Sequence, residues 1–110
     1  MEKYVWKESE MVWRTPMPGI HFSTLSYVED KFVLALLKFD AGFTHPAETH
    51  EMDEYVYMLK GKSETTIGNE KYLLGPGDYF VIPANTSHSV LILEDTELLG
   101  MISPPRPDLR

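Results

Sequence analysis

Apolar and polar positions along this chain follow the short period of strands and never settle into the three- and four-residue spacing of a long helix. Phe32 to Phe39 is an apolar run of strand length that stops at the turn Asp40-Ala41-Gly42. Tyr55 to Leu59 is rich in β-formers and halts before Gly61, and Ser63 to Ile67 and Lys71 to Leu74 flank a hairpin signal at Gly68-Asn69-Glu70. Tyr79 to Ile82 runs up to Pro83, His88 to Leu93 follows, and Glu97 to Ile102 closes the set. Short strands punctuated this densely by Gly, Pro and Asn predict an all-β sandwich or barrel. The first thirteen residues, with Trp6 and Trp13, are expected to form an edge strand that docks on the barrel or on a second copy. The tail Ser103-Pro104-Pro105-Arg106-Pro107 cannot extend a ladder, because proline donates no hydrogen bond.

Composition narrows the chemistry. A chain of 110 residues is expected to form one domain, and 43% hydrophobic with 25% charged residues is a globular balance. Ten Lys and Arg against seventeen Asp and Glu give a net charge of −7, which argues against nucleic acid or an anionic membrane as partner. The opening MEKYVWKESEMVW has neither a signal-peptide pattern nor a membrane span, so the expected location is the cytoplasm. With no cysteine, disulfides, thiolate metal sites and a Cys nucleophile are excluded, and any metal must be held by His and carboxylate.

Of four histidines, His45, His50 and His88 lie near turn-bounded strands. Glu48 and His50 are two apart and share a face if extended, Glu54 opens the next strand, and a barrel can bring His88 opposite them. Two imidazoles and one or two carboxylates on a β scaffold suit a divalent ion such as Fe, Mn, Ni or Zn. His45 precedes Pro46 in a turn and reads as a surface histidine, and His21 carries no assignment. Met52, Met58, Met101 and Tyr57 are core residues or pocket lining.

The spacing of these residues resembles the cupin superfamily, in particular its small single-domain members with an RmlC-like jelly roll. Gly42, His50, Glu54 and Gly61 fit the first cupin motif, with Glu48 where the first histidine of the pair belongs. Gly77, Pro83 and His88 fit the second, with Asn85 replacing its second glycine and Ile92 where an asparagine usually ends it. Fifteen residues, Lys62 to Pro76, separate the motifs. Asn tolerates the left-handed backbone that such a glycine adopts. The resemblance covers residues 42 to 92 and implies an antiparallel jelly-roll β-barrel, with His50, Glu54 and His88 as metal ligands and Glu48 in the fourth position.

A narrower likeness, in Thr49-His50-Glu51 and Leu98 to Arg106, is to the small cupins of pectin degradation that act on unsaturated uronates. Their active-site Arg is matched by Arg106, whereas Gly100 and Ile102 stand where that group has Asp and Phe. The resemblance implies a metal-dependent enzyme acting on a sugar or small polar acid, with Glu48 or Arg106 assisting proton movement or carboxylate binding. Its rivals are a ligand-binding or sensor cupin without turnover and a metal-free structural barrel. A homodimer is expected. As a fourth ligand Glu48 would bring the formal charge of the centre from +1 to zero, and its hard oxygen would favour Fe(II) or Mn(II) over copper.

Overall fold

In a computed structural model, which describes residues 2–110, eight antiparallel strands form a single sheet that rolls up as an all-β jelly roll. They are β1 (Arg14–Met17), β2 (Ile20–Val28), β3 (Phe32–Phe39), β4 (Thr44–Glu48), β5 (Asp53–Ile67), β6 (Glu70–Leu74), β7 (Tyr79–Ile82) and β8 (His88–Ser103). The neighbours run β1-β2-β3-β8-β5-β6, with β4 on β8 and β7 on β5.

The two longest strands build the scaffold. β5 and β8 pair along their whole length, from Asp53 opposite Ser103 to Ile67 opposite His88. Their outer partners change midway. Glu54 to Tyr57 pair with β7 and Ser63 to Ile67 with β6, while Thr96 to Ile102 pair with β3 and His88 to Leu91 with β4. The register slips repeatedly between Met58 and Ser63, where the paired strands turn a corner together. Gly61 sits at that corner with φ +98°. A Cβ there would lie 2.5 Å from both the Asp95 carbonyl oxygen and Thr96 Cα, so no other residue fits without moving backbone. The stop signal at Gly61 therefore marks a bend inside one strand, not the end of one.

Two segments depart from the sequence expectation. The edge strand lies at Arg14–Met17, downstream of the residues 1–13 assigned to it; Met1 lies outside the described residues, and residues 2–13 carry a short 3-10 turn at Glu8–Glu10 in place of a strand. That turn is held locally, the Lys7 N–H donating to Glu10 Oε1 at 3.2 Å, which competes with sheet pairing. β2 has no counterpart in the expectation. Its buried Ser23 interrupts the apolar alternation, and a bulge between Thr24 and Ser26 shifts the period.

The core gathers at two places. Phe22, Val33, Ile102 and Leu109 form one buried cluster, with Tyr27, Leu37 and Met52 packed against it. Val56, Met58, Ile82 and Ile92 are buried along the barrel interior. Tyr57, between Val56 and Met58, points outward and is 45% exposed, as the two-residue period of a strand requires. No helix among the described residues is long and apolar enough to cross a membrane.

Candidate metal site

Four chain segments converge on one end of the barrel. Glu48 ends β4, His50 stands in the connection that follows, Glu54 is the second residue of β5, and His88 opens β8. Glu48 and His88 are direct ladder partners. One ligand atom each from Glu48, His50 and His88 lies within 4.8 Å of the others. Glu48 Oε1 is 3.1 Å from His50 Nε2 and 3.9 Å from His88 Nε2, and Glu54 Oε1 is 3.9 Å from His50 Nε2. The imidazole rings are 5.0 Å apart, tilted by 50°.

The backbone around the cluster is locked by its own turns. Asn85, the residue in place of a glycine, adopts φ +62° and donates its N–H to the His50 carbonyl at 2.6 Å, tying the second motif to the first. Asp53 Oδ1 accepts from the Ala84 N–H at 2.7 Å and braces the same turn from the β5 side. His88 Nδ1 lies 3.1 Å from the Thr86 carbonyl, which can only accept. In the neutral ring this contact places the proton on Nδ1 and leaves Nε2, 3.9 Å from Glu48 Oε1, as the nitrogen free to act as a ligand.

This donor set fits a divalent ion. Ligand atoms bound at 2.0–2.2 Å to a tetrahedral ion stand about 3.3–3.6 Å apart, and the observed 3.1 and 3.9 Å bracket that spacing. Two imidazoles and a carboxylate with a second carboxylate beside them form a mixed N/O set of the kind suited to Fe, Mn or Zn. The side chains are also shielded, with His88 13%, Glu54 16% and His50 18% exposed, while Glu48 at 38% stands nearest to solvent.

His45 belongs to this neighbourhood as well, contrary to its reading as a surface histidine. It lies on β4, lines the cavity, and places Nδ1 3.6 Å from Glu48 Oε1. Residues three apart on a regular strand face opposite ways. Here the ladder slips between His45 and Glu48, and the bulge returns both to the inner face. The adjacent Pro46 marks the irregularity, but the register of β8 decides its consequence.

Arg106 lines the same cavity, and its guanidinium grips Asp108 through Nε at 3.2 Å and Nη2 at 2.8 Å. The two positions at which the sequence departs from the uronate-processing pattern are filled by packing. A side chain at Gly100 would meet Leu37 Cδ1 at 3.4 Å, and Ile102 is part of the buried cluster. Ile92, in place of the asparagine, is 2% exposed in the interior wall.

The cavity behind the cluster has a volume of about 400 Å³ and is partly open to solvent. At the far end, Thr96 Oγ1 receives the Lys62 N–H at 3.2 Å and donates to the Glu94 carbonyl at 2.8 Å, while the Ser63 and Thr65 hydroxyls meet at 3.0 Å.

Against solved structures, the chain superposes on KdgF from Halomonas sp. with a TM-score of 0.89 at 30% identity, covering 99% of this chain and 100% of that one. An RmlC-like cupin from Shewanella frigidimarina also gives 0.89, at 17% identity over 99% and 97%, a likeness of fold alone. In sequence, the chain is 31% identical over 78 residues to an uncharacterized protein of Streptomyces coelicolor, covering 70% of this chain and 74% of that one. It is 43% identical over 61 residues to quercetin 2,3-dioxygenase of Bacillus subtilis, which is 54% of this chain and 18% of the dioxygenase. The chain thus spans less than a fifth of that relative's length. The cupin domain profile matches residues 35–102, and the chain belongs to the cupin family.

Proposed function

We propose that this cupin is a metal-dependent enzyme acting on a small oxygen-bearing molecule, with His50, His88, Glu54 and Glu48 as its ligand set. The observation that carries the reading is the convergence of Glu48, His50 and His88 ligand atoms within 4.8 Å at the end of a 400 Å³ cavity. When bound, a divalent ion supplies Lewis-acid polarisation of a substrate oxygen and a template for it.

The protein's own side chains supply the rest. Glu48, the most exposed member of the set, is placed to accept or return a proton at its Oε atoms. Arg106 is the cavity's guanidinium and offers bidentate hydrogen bonds to a substrate carboxylate. That carboxylate must displace Asp108, which holds the same donors. The likeness to uronate-processing cupins supports a sugar acid or a related small acid as substrate. Because residue 100 is glycine, the acid those relatives place there is missing, and Glu48 is the carboxylate left to do its work. The same substitution favours a second reading, a cupin that binds its ligand without turnover.

Exposed Tyr4, Val5, Trp6 and Val12 on the segment before β1 support a homodimer in which this segment covers a second copy. Elemental analysis of protein purified without added metal, followed by loading with Mn, Fe, Ni and Zn, tests the main reading. Stoichiometric metal is expected; a chain that stays empty throughout overturns it. Turnover lost in His50→Ala or His88→Ala with the fold retained marks an enzyme, whereas a binder loses only ligand affinity.

A further inference from the structure

Where the cupin motif has a histidine this chain has Glu48, and the exchange creates a need. A carboxylate on the long stem of Glu has more rotamer freedom than an imidazole, and holding it at an ion costs that freedom. Glu48 is also 38% exposed at the end of β4, and no Lys or Arg pairs with it among the described residues. Three imidazole nitrogens face its Oε1 instead: His50 Nε2 at 3.1 Å, His45 Nδ1 at 3.6 Å and His88 Nε2 at 3.9 Å.

These nitrogens differ in what they present. An ion takes the Nε2 lone pairs of His50 and His88, so the 3.1 Å hydrogen bond between His50 and the Glu48 carboxylate, which uses a proton on Nε2, ends when an ion binds. His45 is the reverse case. Its Nδ1 lies 2.9 Å from the Pro46 carbonyl, which can only accept, so this nitrogen bears a proton. That N–H is the one imidazole hydrogen left near Oε1 once an ion occupies the other two rings. At 3.6 Å it is an electrostatic pull on the carboxylate and not a hydrogen bond.

The backbone is shaped to bring this about. His45 pairs with Val90 and Glu48 with His88, so β4 spends three residues where β8 spends two. The extra residue puts His45 and Glu48 on one face, and a bulge that re-aims a side chain beside a site is a recurrent device. We propose that His45 is a positioning residue, outside the ligand set, whose Nδ1–H steadies the Glu48 carboxylate beside His50 and His88. It lets a carboxylate serve where the motif has an imidazole. This rests on the metal-dependent reading and adds to it a residue the motif does not contain.

The test is a double-mutant cycle on Mn(II) affinity, measured by calorimetry on the full chain, His45→Ala, Glu48→Ala and the pair. Partners of metal ligands contribute about ten- to a hundredfold in affinity, and His45→Ala is expected at the low end, about tenfold, because its side chain is 32% exposed. In the Glu48→Ala background the same change should alter affinity by less than about twofold. His45→Asn, which keeps an N–H donor, should recover most of the loss. If His45→Ala does not fold, His45→Leu fills the space without a donor and takes its place in the cycle. An equal loss with and without Glu48, or no loss in the single variant, overturns the proposal and leaves the metal reading intact. No Mn(II) binding by the unaltered chain overturns both.

Discussion

The barrel contains two polar clusters, one at the corner midway along β5 and one at the open end, and they resolve their polarity in opposite ways. At the corner, Ser63, Thr65 and Thr96 are 3%, 5% and 1% exposed, and their hydroxyls bond to one another or to backbone. At the open end, Glu48, His50, Glu54 and His88 keep 13 to 38% of their side-chain surface; Glu48, His50 and His88 bring their ligand atoms together, and Glu54 stands beside His50. A buried polar group that has found its partners rigidifies and specifies the fold. Polar groups that converge with donor capacity unspent are arranged for something that is not part of the chain. Among the described residues no buried side-chain N or O lacks a partner, so the open end is a site by arrangement and not by default.

The corner is therefore expected to govern stability and the open end metal affinity, and variants can break that division. The largest effect belongs to Gly61→Ala, whose new Cβ meets backbone at 2.5 Å in a positive-φ conformation. It should cost about 3–5 kcal/mol, combining overpacking and backbone strain, with thermal unfolding as the measurement and metal affinity of the folded fraction unchanged. His88→Ala should do the reverse, lowering metal affinity about 100-fold in a chelator competition with little change in Tm, because a ligand is lost from a partly solvated position. If the corner variant alters metal affinity as much as His88→Ala does, the two clusters are not separable.

Smaller effects refine the contrast. Thr96→Val removes the hydroxyl that satisfies the Lys62 N–H and should destabilise by about 1–3 kcal/mol in urea unfolding, again without touching the metal. The smallest effect lies outside both clusters. The Lys3 ammonium and the Lys7 N–H hold the Glu10 carboxyl below its usual range. A lowered folded-state value stabilises the fold above the unfolded carboxylate's pKa and loses that contribution as pH falls through the folded one. Glu10→Gln should differ slightly from the parent at neutral pH and converge with it in acid, followed by unfolding at each pH.

The same contrast explains what could be read from the residues alone. His50, Glu54 and His88 were legible because motif spacing fixes them relative to Gly42, Gly61, Gly77 and Pro83, and Asn85 could be assigned its left-handed turn from residue type. Phe32–Phe39 was legible because an apolar run met a strong turn signal. The continuity of β5 and β8 through their corner was not. Gly61 looks like a terminator locally, and only pairing with Glu94 to Glu97 shows that the strand continues. His45 was hidden for a related reason, because a bulge changes the face of a residue without changing its sequence. Ser23 concealed β2 by placing a buried hydroxyl where alternation demands an apolar side chain.

The central claim is that Glu48, His50 and His88 form one divalent-ion site. Its most direct test is calorimetric titration of the chain with Mn(II), repeated on His50→Ala and His88→Ala. One ion per chain is predicted, with affinity falling about 100-fold in each variant while the fold is retained. Saturable binding that survives both substitutions, or no binding by the unaltered chain, would contradict it.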